Sequence, residues 1–305
     1  MYYQEFREEL LQMMREQAEE KISVELIERQ KLNGQIRYAL LLKREGSCCA
    51  PVMYLEEVYE EFCQGTGLQE IAEKLWLIYA EEMRDNLEGL YGAVSCMQTY
   101  ANAAPGLYVR IMHAEKNSAL LADAPWRHIL DLALTVYYLV EQMDGQVRGT
   151  VMLRDEHLKD WDVPVEEVFE RAIRNTLAEE GLYWNTMEAV LNHEKLLLFP
   201  EKLSYSQTGL YILSGRTGVW GATLAFLPGT AAKIHEALGE PFYLLPSSIH
   251  EVILVPASRA VSRDLLAQTV WEVNRQEMPV EDILSDHIYF YNAQCGRLEI
   301  VEDME

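Results

Sequence analysis

No apolar run in this chain approaches the roughly 20 residues that a membrane-spanning helix needs. Hydrophobic residues come instead in short stretches, some recurring with a helical period and some alternating, cut by glycine, proline and asparagine. Such stretches form amphipathic helices and half-buried strands that must share a core, so the expected fold class is α+β. Hydrophobic residues fill 49% of the 305 positions, enough to bury a large core, and that length favours more than one packed unit.

The pattern divides the chain as follows. Residues 2–19 place Phe6, Leu10, Leu11, Met13 and Met14 among charged residues at helical spacing, predicting an amphipathic helix. Ile22 to Ile27 and Gln35 to Leu42 read as strands of a hairpin turning at Asn33-Gly34, residues that accept positive φ. Helices are expected over YLEEVYEEFCQG, ending at Gly65, and from Leu68 to Asn86. ANAAPG at 101–106 breaks the periodicity and marks the end of an N-terminal unit. Leu107 to His113, Ile129 to Val140 and Gln146 to Leu153 then read as a three-stranded meander, followed by a helix from Pro164 to Leu177. In the last third, Leu210 to Leu213, Trp220 to Phe226 and Ile249 to Val255 read as strands. Pro228 to Leu238 and Val261 to Arg275 read as helices, and a hairpin is expected from His287 to Ala293 and Arg297 to Val301. The expected architecture is thus an N-terminal helix, β-hairpin and helices, followed by mixed or antiparallel sheet units covered by helices. Its units are 1–103, 104–205 and 206–305, the last two expected to form one domain.

Charge and cysteine usage bound the partners. Acidic residues outnumber basic ones 49 to 26, for a formal charge of −23, and each third of the chain is net negative. A charge of that sign repels nucleic-acid phosphates and anionic membrane surfaces, so direct nucleic-acid binding is disfavoured and a basic protein partner is favoured. Cys48, Cys49, Cys63, Cys96 and Cys295 are an odd set without a CxxC pair, which suits free thiols in a reducing compartment. The charged opening segment carries no signal-peptide core, and the expected location is the cytoplasm, with no membrane span.

The densest chemistry is Ser247-Ser248-Ile249-His250-Glu251, because hydroxyl, imidazole and carboxylate are the ingredients of an activated nucleophile. Ser248, His250 and Glu251 are the candidate catalytic residues. On a strand, Ser248 and His250 would share a face and Glu251 would point away from it. The plainer reading is a serine turn and a satisfied strand histidine. Asp155-Glu156-His157 with Asp160 and Asp162 offers oxygen and nitrogen donors, but the glycine and terminal glutamate of a calcium loop are missing, and an acidic helix-capping turn accounts for the run. His113, His128, His193, His235 and His287 form no HxxxH set, so no metal is expected. Gly215-Arg216-Thr217-Gly218 fits no phosphate-binding pattern, so no cofactor is expected either. Trp161, Trp184 and Trp220 suit a core or a pocket lining equally well.

Several segments carry a family likeness: VMYLEEVYEEF at 52–62, HLKDW at 157–161, RNT at 174–176, LPSSIHEVILVP at 245–256, Trp220-Gly221-Ala222, and the late VNRQEMPVEDILSDHIYFY. Together they resemble the bacterial family known as domain of unknown function 5688, typical of gut Firmicutes. The resemblance implies a whole-chain soluble architecture and brings no catalytic residues with it. It makes Trp161 and Asn175, which stand in matching segments, second candidates after Ser248, His250 and Glu251. Two functions are expected to compete. One is a non-enzymatic, acidic, cytoplasmic protein-interaction module, of the kind a mobile element carries. The other is a small-molecule hydrolase with its site around Ser248 and His250.

Overall fold

The computed structural model describes residues 1–47, 50–85, 96–141, 147–246 and 248–301. Expectations resting on Cys48, Cys49, Asn86, Gln146 and Ser247 lie outside them. The protein is α+β, and its chain falls into two compact units, one of residues 1–97 with 140–148 and one of 98–139 with 149–305.

In the first unit, helix α1 (Tyr3–Gln17) buries Phe6, Leu10 and Met14, four residues apart and therefore on one stripe. That stripe packs on an antiparallel sheet of β1 (Ile22–Gln30), β2 (Ile36–Arg44) and β3 (Val52–Tyr54), in that order. The β1–β2 connection turns at Asn33 and Gly34, with φ of 56° and 73°, as the sequence pattern requires. Helices α2 (Glu56–Cys63) and α3 (Leu68–Asp85) close the core with Val58, Ile71, Ala72 and Leu75. Gly65 between them takes a φ of 110° that a side chain would resist.

The second unit holds two antiparallel sheets. One comprises β4 (Leu107–His113), β5 (Trp126–Ile129), β6 (Leu132–Glu141, belonging to this unit over 132–139) and β7 (Val147–Met152, belonging to it over 149–152), with β6 pairing all three of the others. The expected meander lacked β5, whose four residues are partly exposed and carry no apolar alternation. Its turn to β6, Leu130-Asp131, also lacks glycine and asparagine, although Leu130 sits at φ 59°. At 101–106, a short helix (Tyr100–Ala103) and a 3-10 turn (Ala104–Gly106) run directly into β4.

The other sheet has seven strands, β8 (Tyr183–Thr186), β9 (Leu197–Leu198), β10 (Tyr211–Ser214), β11 (Phe242–Leu245), β12 (Val252–Pro256), β13 (Tyr289–Asn292) and β14 (Arg297–Ile300). Their spatial order is β14-β13-β11-β12-β10-β8-β9, which puts β12 in the middle. Helices α4 (Val165–Glu179), α5 (Thr230–Leu238) and α6 (Arg263–Gln276) accompany the sheets. Pro164 leads α4, with Glu166 and Glu167 in its first turn, and the Ser262 hydroxyl caps α6 by accepting the Leu265 N–H at 3.1 Å.

Two expected strands are corrected. Residues 220–226 form no strand: a short helix (Ala222–Ala225) follows Trp220, whose backbone is left-handed at φ 59°. All four helical residues are buried, and a short continuous apolar run is compatible with either element. The expected strand from Ile249 begins only at Val252, so Ser248, Ile249, His250 and Glu251 lie in the loop between β11 and β12. Among the described residues, no helix is long and apolar enough to cross a membrane.

Candidate functional site

The β11–β12 loop holds the three residues singled out by their chemistry. Ser248 is buried, and its Oγ accepts the N–H groups of His250 (3.0 Å) and Glu251 (3.3 Å), a serine turn closed by Ser248 N–H to Glu251 O at 3.2 Å. His250 turns elsewhere. Its Nδ1 accepts the backbone N–H of Trp220 at 3.2 Å, so the ring proton is on Nε2, which lies 3.5 Å from Asp282 Oδ1. Burial raises the Glu251 carboxyl above its ordinary range, with His250 opposing the shift. The loop thus gathers the three residues in space without forming a serine–histidine pair.

What the loop does is tie distant segments together. Ser214 Oγ donates to His250 O at 2.8 Å, and Ile249 N–H donates to Asp282 O at 2.9 Å. Trp220 holds a backbone conformation that costs a bulky residue about 1–3 kcal/mol and persists only where its surroundings over-determine it. The other family-like segments are also explained by contacts. Asn175 Nδ2 donates to the carbonyls of Ala104, Pro105 and Leu107, and Thr176 Oγ1 accepts the Val109 N–H at 3.0 Å, so RNT anchors the start of β4. Trp161 is buried beside Tyr100 and His157 at the end of a short helix (Asp155–Trp161) that contains most of the acidic run, with Asp162 as its left-handed cap.

A second constellation, which local reading of the sequence missed, centres on Asp131. The tight β5–β6 turn presents its carboxylate to three donors: Ser285 Oγ–H at 2.6 Å, Tyr289 O–H at 2.8 Å and His287 Nδ1–H at 3.1 Å. A carboxylate is acceptor-only, so these contacts place the His287 proton on Nδ1. His113 Nε2 lies 3.9 Å away on the same carboxylate, its Nδ1 accepting the Lys116 N–H at 3.3 Å. Asp131 and His113 are almost enclosed, whereas the His287 side chain is 45% exposed.

Asn274 on α6 holds the loop in place by donating to Ser285 O and to Asp286 Oδ1. Burial alone would raise Asp286, but donors from Asn274, Lys116 and Arg275 hold it down at about 2. The missed signal was a spacing. Ser285, His287 and Tyr289 recur every second residue, in the bend that leads into β13 and at its first position, and Asp131 lies 154 residues from the first of them.

Electrostatics assign the charges. Burial raises the Asp131 carboxyl, but hydrogen bonds from Ser285, His287 and Tyr289 outweigh it, so its pKa lies below the ordinary value. Burial and the nearby Lys116 charge lower His113, overriding the pull of Asp131, so His113 is neutral at pH 7. Burial, with the charge of Asp131 beside it, keeps Tyr289 protonated.

A depressed folded pKa stabilises the fold above the unfolded value of about 3.9, and that contribution is lost as pH falls through the folded value. The gap in Tm between wild type and Asp131→Asn is therefore expected to be wide at pH 7 and to narrow below about pH 4. A gap unchanged between neutral and acid pH would refute the ionised, hydrogen-bonded carboxylate.

Among the described residues, no group of three or more His, Cys, Asp or Glu is placed to hold a metal ion. An open cleft of about 430 Å³ lies elsewhere, lined in part by Tyr205, Tyr211, Glu240, Ser258 and Arg259. Its carboxylate, Glu240, accepts the backbone N–H and the hydroxyl of Ser258.

Comparison with known proteins finds no curated protein and no solved structure that matches the chain. One family does match, over residues 3–293, a span that includes the β11–β12 loop, Trp220-Gly221-Ala222 and the Asp131 constellation. With nearly its whole length covered, the chain belongs to DUF5688, a family of unknown function.

Proposed function

We propose that the chain is a small-molecule hydrolase in which His287 is the general base and Asp131 its positioning residue. One observation carries the reading: an imidazole whose Nδ1–H is fixed on a carboxylate held by two further donors, while the ring stays 45% exposed. A base oriented by a third group is the geometry of proton abstraction, and the oriented tautomer leaves the Nε2 lone pair free to act. Ser285 is fully buried and donates to Asp131, so the nucleophile in this reading is water.

In the reaction, Nε2 takes a proton from water as its oxygen bonds to the electrophilic centre of an ester. Asp131 stabilises the resulting imidazolium, which returns the proton to the leaving oxygen as the old bond breaks. A formal charge of −23 supports a small substrate over a nucleic acid. The free thiols of Cys63, Cys96 and Cys295 support a reducing compartment, the cytoplasm of a bacterium by the family likeness.

Hydrolysis of p-nitrophenyl acetate, p-nitrophenyl phosphate and bis-p-nitrophenyl phosphate tests the reading. At least one should be turned over, with kcat falling about 10²–10⁴-fold in His287→Gln while Tm stays near wild type. Asp131→Asn, which cannot hold the same tautomer, should fall comparably. Full activity in His287→Gln, or no turnover of any of the three esters, would sink it.

The second reading is an acidic interaction module whose partner is a basic protein, met in the setting of a mobile element. The net charge of −23 supports it. Capture of a partner that weakens with salt and is indifferent to His287→Gln would favour it over the hydrolase.

A further inference from the structure

Arg110, in the second unit, holds its guanidinium over two aromatic rings. It sits on β4, partly buried, with its neighbour across the strand pair, Thr135, donating to the Arg110 carbonyl. Its guanidinium carbon lies 4.6 Å from the centre of the Tyr137 ring and 4.4 Å from that of the Trp220 ring, and the two ring centres are 6.2 Å apart. Those three distances put the rings on adjacent sides of the guanidinium, roughly at a right angle, and not on opposite sides. The cation is therefore seated in a corner between the two rings and is partly exposed.

One edge is fixed by Nη1–H donating to Thr150 Oγ1 at 3.0 Å. Among the described residues, no carboxylate pairs with Arg110, in a chain where acids outnumber bases 49 to 26. Burial lowers its pKa to about 10, with Tyr137 opposing, which leaves it charged at neutral pH.

A partly desolvated guanidinium without a counter-charge is costly, and arginines in such settings are normally paired. Here the surroundings hold the cation ready instead. Trp220 is kept in its left-handed backbone conformation with its N–H on His250 Nδ1, and His250 is held in turn by the Ser248 turn and Asp282. The indole that walls the cation is thus positioned by two of the family-like segments. Backbone strain of this kind collects at ligand clamps.

We infer that Arg110, cornered by Tyr137 and Trp220 and steadied by Thr150, is the receptor for one oxyanion of a small ligand, a carboxylate or a phosphate group. The fork of guanidinium donors matches either oxyanion bidentately, and the aromatic walls weaken competition from water. The overall negative charge disfavours large acidic partners, so the ligand is a small molecule.

Calorimetric titration of the full chain with inorganic phosphate and, separately, with succinate tests this, with ionic strength held constant by sodium chloride. Saturable binding of at least one is expected, and which of the two binds identifies the oxyanion. Affinity should fall at least about tenfold in Arg110→Gln, the loss expected for a charge-assisted hydrogen bond, and also in Arg110→Lys, which keeps the charge and loses the fork. Thr150→Val, a milder change at the edge of the site, should weaken binding without unfolding the chain. Absence of saturable binding of either anion to wild type would overturn the inference whatever the variants do. So would wild-type affinity in folded Arg110→Gln.

Discussion

Gly221→Ala is expected to lower the urea midpoint of the chain by the equivalent of more than about 3 kcal/mol, at or beyond the upper end of the usual range for overpacking. Gly221 does not owe its identity to backbone freedom, since its φ of −67° suits any residue. It owes it to space. A Cβ there would collide with Ser214 Oγ and the Gly215 backbone nitrogen, and would come within 2.7 Å of His250 O.

None of the three can easily give way. Gly215 N is main chain, and Ser214 Oγ is committed to His250 O at 2.8 Å. His250 is in turn bound to Trp220. The close approach of the 220–222 segment to the β11–β12 loop is therefore available only to glycine, and the same substitution should abolish anion binding at Arg110 by displacing Trp220. A midpoint and slope unchanged from wild type would show that the two segments can part without cost.

Leu254→Ala is expected to destabilise the chain by about 2–5 kcal/mol, the range for a fully buried leucine that leaves a cavity. Leu254 is fully buried at the centre of the seven-stranded sheet, opposite Leu244 on β11 and Tyr211 on β10. Strands on both sides limit how far the site can collapse, which places the expectation in the upper half of that range. Val261→Ala is the control: this residue is 82% exposed, and its truncation should change stability by less than about 0.5 kcal/mol. Equal midpoints for the two variants would show that β12 is not where the core lies.

Much of the helical content was legible in the sequence, for reasons visible residue by residue. The stripe of Phe6, Leu10 and Met14 and the start at Pro164 with two glutamates depend on neighbours within a few positions. The Asn33-Gly34 turn was legible for the same reason, because it needs nothing beyond two residues that tolerate positive φ. Residues 220–226 were misread because a short apolar run satisfies a buried helix and a buried strand alike. Its periodicity could not choose between them, and all four helical residues, Ala222–Ala225, are buried. Strand β5 escaped because four partly exposed residues acquire their conformation from pairing with β6.

The candidate site divides along the same line. Ser248, His250 and Glu251 stood out because they are adjacent, yet the loop conformation commits their polar groups to the backbone, to Trp220 and to Asp282. Asp131, His113 and His287 looked scattered because strand pairing of β4 with β6 is what sets His113 beside Asp131, and only the meeting of that sheet with the segment leading into β13 brings His287 to the same carboxylate. By itself the sequence determined the α+β class, the sign of the charge, many local elements and the family likeness, since each follows from composition, from short-range periodicity or from matching segments. Only the tertiary structure decided which polar groups meet, because a hydrogen bond or an ion pair acts over a few ångströms of space and takes no account of the 154 residues of chain that separate its partners.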